Sequence, residues 1–243
     1  MAKEQTKIWE MHIENMQWET LKESVEHPAV FQQELRDVIN PYVEVGKKRI
    51  IEVGCEAGVS SLILSDNFDK TLLDLNPKAI ETSEKLFSLY GKKGKFVVAD
   101  MFDMPFNDAS FDIVFNTGVI EHFKEKELKR AFKEYARILE ADGVMIIGFP
   151  NQFSIPYKTA QWVRMIAGKW PFPYEYTYYD LRKTLSSAGL VLESRKILSK
   201  QSIYGWWNFC HLIESFFRKT DCLFNWQRIS YLVDNKKKKV DRN

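Results

Sequence analysis

Residues 49–58 have the sequence RIIEVGCEAG, and this stretch decides the fold. Ile50, Ile51 and Val53 make its first half a short apolar strand, which is typical of a strand inside a sheet. Gly54 and Gly58 follow the strand, and glycine lets a backbone turn tightly and approach a ligand closely. A helix that starts just after such a turn offers its free N–H groups to that ligand.

The elements around this stretch alternate. Residues 8–45 have apolar side chains at helical spacing. The pattern further along predicts strands at 71–75, 95–100, 111–116 and 143–149, and helices at 60–67, 77–90 and 124–140. Apolar strands that alternate with helices predict a mainly parallel sheet covered on both faces. In such sheets ligands bind beyond the carboxyl ends of the strands, so Gly54, Asp74, Asp100 and Asn116 are the candidate positions.

The second half of the chain is less regular. Residues 150–176 contain four prolines among many aromatic side chains, which predicts a loop-rich insert. A helix is predicted at 178–188, where Gly189 ends it, and a strand at 190–198. Residues 203–226 are rich in aromatic side chains and are predicted to be helical, and residues 229–233 are predicted to form a last strand.

Composition excludes several classes of protein. The 243 residues carry 35 Lys and Arg against 33 Asp and Glu, and this balance gives no general signal for nucleic acid. Three cysteines without a CxxC pair argue against a disulfide framework and an obvious zinc site, and they favour a reducing, cytoplasmic location. The sequence shows no signal peptide and no apolar run of about 18 residues that would span a membrane.

Asp74 lies twenty residues after Gly54, at the end of the second predicted strand. A carboxylate at that position can accept hydrogen bonds from both hydroxyls of a ribose, which indicates a nucleoside ligand. The alternative is an ordinary strand–helix turn with a surface Asp. A dinucleotide fits poorly, because Glu56 and Val59 occupy the next two glycine positions of the GxGxxG pattern.

The motifs resemble those of class I S-adenosylmethionine-dependent methyltransferases, in the small-molecule branch that includes ubiquinone and menaquinone methyltransferases. Glu52, Gly54 and Gly58 match the acid and the glycines of that family's first motif, and Glu56 stands at its middle glycine. The further matches are Asp74, Val98–Met101, Met104–Phe106 with Ser110–Val114, Val119–His122, Ala136–Gly143 and Tyr178–Leu190. They cover about residues 49 to 198 in the family's order.

The resemblance implies S-adenosylmethionine as cofactor and S-adenosylhomocysteine as product. The implied cofactor-binding residues are Glu52, Gly54, Cys55, Gly58, Asp74, Leu75, Asp100, Met101, Asn116 and Thr117. Asp74 would bind the ribose, Asp100 and Met101 the adenine, and Asn116 and Thr117 the methionine part. Cys55 would contribute its backbone rather than its sulfur, and the Glu56 side chain is expected to point away from the cofactor. The reaction requires no metal, because in-line placement of donor and nucleophile suffices.

The implied fold is a doubly wound, Rossmann-like α/β domain. Its seven-stranded, mostly parallel sheet would have helices on both faces and an antiparallel strand seven. We expect an N-terminal helical segment at residues 1–48 and a methyltransferase domain at 49–243. Two aromatic-rich inserts, 151–176 and 199–225, are expected to close the acceptor pocket.

His122 is the candidate catalytic residue, since it follows the fourth strand near the expected acceptor and an imidazole can accept a proton. Its alternative role is to cap or orient the following helix. Trp9 and Trp18 are candidates for covering the cleft, with simple packing as the alternative. The aromatic inserts favour an apolar or aromatic small-molecule acceptor, because such walls desolvate rings well.

Two other functions compete with methyl transfer to a small molecule. Glu56 departs from the motif, which is compatible with a non-catalytic S-adenosylmethionine-binding protein. An RNA or protein methyltransferase is a further alternative, although the four lysines Lys236–Lys239 are few and local. Those lysines and the aromatic residues before them also suit weak contact with an anionic membrane surface, or a solvated tail. No pattern indicates an oligomeric state.

Overall fold

The computed structural model describes residues 2–150, 155–168, 170, 172–198 and 228–234. The helices are α1 Ala2–Glu14, α2 Trp18–Glu26, α3 Val30–Ile39, α4 Pro41–Glu44, α5 Val59–Leu62, α6 Pro77–Leu89, α7 Glu125–Ile138, α8 Ile155–Ile166 and α9 Arg182–Ser186. The strands are β1 Arg49–Val53, β2 Asp69–Asp74, β3 Lys95–Val98, β4 Phe111–Thr117, β5 Leu139–Phe149, β6 Ser194–Leu198 and β7 Arg228–Asp234. A 3-10 turn, Ile120–His122, follows β4.

The strands lie side by side in the order β3-β2-β1-β4-β5-β7-β6. Strands β1 to β5 are parallel to one another, and β7 runs antiparallel to both β5 and β6. The chain moves outward from β1 to β3 and then returns to place β4 on the other side of β1. The point between β1 and β4 is therefore the topological switch point, beyond which ligands bind in this class of sheet.

Helices pack on both faces of the sheet. On one face Leu128 and Phe132 of α7 are fully buried with Val114 and Ile147 of the sheet. On the other face Leu35 and Ile39 of α3 pack with Ile50, Phe115 and Ile146, while α6 packs through Leu86 and Phe87. Successive residues of a strand thus enter opposite cores, as side-chain alternation requires. The doubly wound α/β class predicted from the sequence is confirmed.

Several element predictions need correction. The predicted helical stretch 8–45 is divided into α1, α2, α3 and α4 by breaks around residues 15–17 and 27–29. The predicted loop-rich segment 150–176 contains the twelve-residue helix α8. Pro156 lies in the first turn of α8, where proline is tolerated because the missing N–H has no partner there. The predicted helix at 178–188 is shorter, at Arg182–Ser186.

Other predictions fall outside the described part of the chain. Residues 199–225 and Lys236–Lys239 are not described, so the second insert and the lysine run remain predictions. No helix of the described segments combines the length and apolar character needed to cross a bilayer.

Candidate cofactor-binding and acceptor site

A cavity of about 290 Å³ opens at the carboxyl ends of the parallel strands. It lies at the switch point, because Gly54 follows β1, Asp74 ends β2 and Gly118 follows β4. Of the eleven residues singled out in the sequence, six line this cavity: Gly54, Asp74, Leu75, Asp100, Met101 and His122. The topology alone brings them together, since they come from loops that are distant in sequence.

The loop after β1 approaches the cavity at Gly54. Its backbone has a φ of +74°, and its N–H donates to the carbonyl of Leu73 at 2.7 Å. A Cβ at this position would lie 2.7 Å from a methyl group of Val119. Because a side chain would meet both the unfavourable φ and this contact, glycine is required here.

Asp74 connects the ends of β1 and β2. One carboxylate oxygen accepts a hydrogen bond from the backbone N–H of Glu56 at 3.0 Å, and the other accepts from the N–H of Asn76 at 2.9 Å. Burial raises the pKa of Asp74, and these two hydrogen bonds oppose that rise. The carboxylate is thus held in one orientation at the cavity wall.

Asp100, Met101 and Leu75 form the side of the cavity beside β2 and β3. The carboxylate of Asp100 accepts from the N–H of Phe102 at 3.0 Å, which fixes the turn after β3. Met101 is buried, whereas Leu75 is 56% exposed although it is apolar. An exposed leucine at a cavity rim is typical of a site that covers an apolar ring.

Glu52 does not line the cavity. It is 3% exposed, and one of its carboxylate oxygens accepts from the backbone N–H of Ser61 at 3.1 Å and from the Ser61 hydroxyl at 2.6 Å. Burial raises the pKa of Glu52 to about 8. The residue therefore positions the short helix α5, and with it the glycine loop, from behind.

Cys55, Gly58, Asn116 and Thr117 are also absent from the lining that the described residues form. The Cys55 sulfur lies 3.8 Å from the hydroxyl of Ser83, and burial raises the pKa of this thiol well above its usual value. A thiol in that state is a poor nucleophile. Gly58 has a φ of +72°, and a Cβ there would lie 2.5 Å from Leu72.

Asn116 and Thr117 end β4 and support its fold. The Asn116 amide donates to the hydroxyl of Tyr135 at 2.9 Å, and Asn116 is fully buried. Thr117 pairs with Gly148 of β5 in the parallel ladder. Neither residue is among those that line the cavity, so their predicted contact with the methionine part of the cofactor stays a prediction.

Helix α1 covers the cavity. Trp9, Glu10 and Ile13 line it, whereas Trp18 of α2 is exposed and lies outside the lining. His12 Nε2 and a carboxylate oxygen of Glu56 lie 2.7 Å apart, and this contact joins α1 to the glycine loop. Glu56 is among the lining residues, but its carboxylate is directed to His12, which lies outside the lining, so the expectation that its side chain points away from the cofactor stays a prediction.

His122 stands between this cavity and a second one. It is buried in the 3-10 turn, its Nδ1 lies 3.3 Å from the carbonyl oxygen of Tyr174, and its ring packs edge-on against Trp9 at 5.3 Å between centroids. Because a carbonyl oxygen only accepts, Nδ1 is the nitrogen that carries the hydrogen. Burial lowers the pKa of His122 below its usual value, which favours the neutral imidazole.

The second cavity has a volume of about 410 Å³ and shares Gly118 and His122 with the first. Its aromatic wall consists of Phe31, Phe149, Tyr157, Trp170 and Phe172. Its polar side chains are Glu121, Gln161, Arg164 and Glu175. Six of the thirteen residues that line this cavity come from the predicted insert 151–176.

Sequence reasoning missed most of the residues that line the second cavity. Glu175 lies between two tyrosines in an aromatic stretch, and a buried charge among apolar neighbours is the one signal that the sequence offers. Glu121 was part of the matched motif around Val119–His122, but no spacing rule shows that its carboxylate faces a cavity. The burial of Glu175 and the position of Glu121 at the second cavity both depend on how the insert packs against the sheet.

Comparison with known proteins assigns the domain. Residues 51–147 match the family described as methyltransferase domain. An ajmaline N-methyltransferase of Rauvolfia serpentina is 28% identical over 104 residues, which are 41% of this chain and 35% of that protein. A 2-methyl-6-phytyl-1,4-hydroquinone methyltransferase of Synechocystis is 25% identical over 149 residues, which are 58% of this chain and 46% of that protein. The chain spans less than half the length of these curated relatives.

A solved structure has the same fold. The structure of a geranyl diphosphate methyltransferase in complex with SAM matches with a TM-score of 0.60 at 18% identity, and the match covers 84% of each chain. Residues 51–147 therefore match a methyltransferase domain in sequence, and the solved structure shares the fold of the chain. The resemblance of its motifs to S-adenosylmethionine-dependent methyltransferases of the small-molecule branch is confirmed for this domain.

Proposed function

We propose that the protein transfers a methyl group from S-adenosylmethionine to a small-molecule or lipid-like acceptor and releases S-adenosylhomocysteine. The observation that carries this proposal is the cavity at the switch point, with the oriented carboxylate of Asp74 in its wall. The names of the relatives support it, since both curated proteins are named for the methylation of small molecules.

The residues of the cavity fit this cofactor. Each oxygen of Asp74 already accepts one backbone N–H and keeps a further lone pair for a ribose hydroxyl. Leu75 and Met101 provide apolar surface for the adenine ring, and Asp100 provides an acceptor for its amino group. Gly54 lets the backbone come close to the methionine part, because no Cβ fits at that position.

S-adenosylmethionine supplies a methyl group on a positively charged sulfur, and that charge disappears on transfer. The chain has to hold donor and acceptor in line and to exclude water. Trp9 and Ile13 of α1 cover the cavity, and Phe123 adds apolar surface beside His122. A neutral His122 with its hydrogen on Nδ1 can take a proton from the acceptor at Nε2, and we propose this role for it.

The proposal includes several finer points. The methyltransferase domain comprises residues 49–243 and is built on the seven-stranded sheet with an antiparallel last strand. Residues 1–48 form a helical segment that covers the cofactor cavity. Five of the predicted cofactor-binding residues support the loops that contact the cofactor and do not line the cavity themselves: Glu52, Cys55, Gly58, Asn116 and Thr117. The cysteine pattern still favours a cytoplasmic location.

Calorimetric binding and a transfer assay test the proposal. S-adenosylhomocysteine should bind one site per chain, whereas NAD should not bind, because the loop lacks the dinucleotide glycine pattern. Radiolabelled S-adenosylmethionine should then methylate members of a panel of quinols, phenols and amines. No binding of S-adenosylhomocysteine would refute the proposal. Binding without transfer to any acceptor class, including tRNA and protein, would favour the non-catalytic alternative.

A further inference from the structure

We infer that the two cavities communicate at Gly118, and that methyl transfer, rather than folding, requires a residue without a side chain at this position. This inference rests on the proposed function, because it takes the first cavity as the site of S-adenosylmethionine and the second as the site of the acceptor. It goes further by assigning one residue to the point where the two ligands meet.

The two cavities lie side by side along the carboxyl edge of the sheet. The first is lined by residues at the ends of four strands, with Met101 after β3, Asp74 on β2, Gly54 after β1 and Gly118 after β4. The second takes its described sheet residues from β4 and β5, among them Gly118 and Gly148. Because the strand order is β3-β2-β1-β4-β5, the cavities meet at the end of β4.

The proposed orientation of the cofactor directs its methyl group toward β4. Asp100 and Met101 follow β3 and are the proposed adenine contacts, whereas Asp74 ends β2 and is the proposed ribose contact. From β2 to β4 there are two strand spacings, or about 10 Å. The sulfur and its methyl group come after the ribose in the cofactor, so they extend past β1 toward Gly118.

The described packing around Gly118 leaves room for a side chain. Its N–H donates to the carbonyl of Gly148 at 2.8 Å, so β5 fixes its position. Among the described residues, the nearest atom to a Cβ at Gly118 would be Glu121 Oε1 at 3.8 Å, an ordinary van der Waals distance. A Cβ at Gly54 or Gly58 would instead lie 2.7 or 2.5 Å from a neighbouring side chain. Those two glycines are therefore required by packing, and Gly118 is not.

The backbone angle of Gly118 favours glycine without demanding it. Its φ is +75°, which side chains disfavour. Ala109 and Glu56 nevertheless have φ angles of +55° and +52° in the same chain, so its fold accommodates side chains in this region. What a side chain at Gly118 would change is the space that both cavities border.

Methyl transfer sets a strict limit on distance at this common wall. An electron pair of the acceptor atom forms the bond to the methyl carbon, the carbon–sulfur bond breaks with its pair on sulfur, and the acceptor proton goes to His122 Nε2. His122 also lines both cavities, so the proposed proton acceptor lies at the same wall. The reacting atoms must come within about 3–3.5 Å in line. A Cβ at Gly118 would hold them farther apart.

Two analogues of the cofactor test whether the cavities communicate. In both a nitrogen replaces the sulfur, and this nitrogen carries a methyl group in one analogue and a benzyl group in the other. They share every ionisable group, so charges around the second cavity affect both alike. We expect the wild-type chain to bind the benzyl analogue about tenfold more tightly, because its ring is buried among the rings of the second cavity. Calorimetry that finds no advantage of the benzyl analogue would overturn the inference.

Gly118→Ala localises the passage. It should leave the affinity for S-adenosylhomocysteine within about threefold of wild type and remove the advantage of the benzyl analogue, because the added methyl group narrows the passage. Gly91→Ala is the matched control: Gly91 has a φ of +62°, is exposed after α6, and has no described atom within 4 Å of a Cβ. It lies outside the described lining of both cavities and should retain the advantage. An unchanged advantage in folded Gly118→Ala would refute the assignment.

Trp170→Ala keeps the inference testable should Gly118→Ala not fold. Trp170 lines the second cavity, and its ring packs edge-on against Phe172 at 5.4 Å and against Tyr157 at 6.2 Å between centroids. Its loss should reduce the advantage of the benzyl analogue to about threefold or less, and an unchanged advantage would refute the inference. Binding of S-adenosylhomocysteine to the wild-type chain separates the two proposals. Its absence refutes the function, and its presence without an advantage of the benzyl analogue refutes only this inference.

Discussion

Asp74 combines two tasks that are usually separate, since it holds the backbone of the glycine loop and offers its remaining lone pairs to a ligand. Replacing it by alanine removes an acceptor and also frees the N–H groups of Glu56 and Asn76. We expect Asp74→Ala to weaken S-adenosylhomocysteine binding by roughly 10- to 150-fold, the equivalent of about 1.5–3 kcal/mol for hydrogen bonds to a charged group. Isothermal calorimetry at one ionic strength measures this loss.

Asp69 is the matched control because it lies at the opposite end of the same strand. Its side chain is exposed and pairs with Lys95 at 3.0 Å, far along β2 from the cavity. Asp69→Ala should leave the affinity for S-adenosylhomocysteine unchanged. If Asp74→Ala binds as tightly as wild type while folded, Asp74 is not a ligand-binding residue.

The sequence alone predicts where Asp74 lies, but it does not predict which residue the Glu56 side chain contacts. The position of Asp74 follows from strand length and from the rule that strand ends meet at one edge. The direction of the Glu56 side chain depends on a φ of +52° and on His12, which is 44 residues away. Neither the φ angle of Glu56 nor its contact with His12 can be predicted from residue propensities or from the spacing of residues in the sequence.

Helix α1 packs over the cofactor cavity through ring contacts of Trp9 and His12, and the pair of His12 and Glu56 is the polar contact among those described. The pair is partly exposed, so its worth is about 0.2–1 kcal/mol. We expect His12→Ala to speed the dissociation of S-adenosylhomocysteine by about 1.4- to 5-fold, because the cover opens more often. Stopped-flow displacement measures this rate.

His27→Ala is the control for this change, since His27 is an exposed residue at the end of α2. It should leave the dissociation rate as in the wild type. A His12→Ala rate equal to that of His27→Ala would show that this contact does not hold α1 in place.

At the level of elements, periodicity predicted helices and strands where burial on one face is regular. It failed at α8, because Pro150, Pro156, Pro171 and Pro173 together are typical of a loop. Pro156 lies within the helix, in its first turn, where proline is compatible with helix. Periodicity also did not predict which part of the sheet α1 packs against, since an apolar helix face does not specify its partner.

The stability of the whole molecule should depend on Glu52. Burial raises the pKa of Glu52 to about 8 in the folded chain, whereas an unfolded Glu has its ordinary value near 4.5. Between these pH values the folded state retains a proton that the unfolded state releases, so the stabilisation is complete below about pH 4.5 and is lost as the pH rises through about 8. We expect Glu52→Gln, which cannot titrate, to show a smaller decrease in unfolding free energy between pH 5.5 and 8.5.

Urea unfolding followed by fluorescence at several pH values gives this slope. Glu23→Gln changes an exposed carboxylate on α2 and should retain the wild-type slope. Identical slopes for Glu52→Gln and wild type would mean that Glu52 titrates alike in both states. The Ser61 donors should remain satisfied in Glu52→Gln, because the amide oxygen can accept from both.

The fold as a whole was the most predictable level. Alternating apolar strands and amphipathic helices leave few arrangements other than a parallel sheet covered on both faces, and the five parallel strands agree with that. The second cavity was the least predictable part, because six of its thirteen lining residues come from the insert 151–176, whose packing no repeat or motif specifies. Glu175 and Trp170 come together with Glu121 only after the insert has folded against the end of the sheet.

Phe172 has a consequence for the order of events in a catalytic cycle. Its ring lines the second cavity and packs against Trp9 at 5.8 Å and against His12 at 5.3 Å between centroids, so the cover of the first cavity is in contact with the wall of the second. A nucleoside bound under α1 would fix the ring contacts of Trp9 and His12 with Phe172. It would thereby order the wall of the second cavity before the methyl acceptor binds there. The cycle should therefore be sequential, with the methyl donor arriving first and the demethylated nucleoside leaving last.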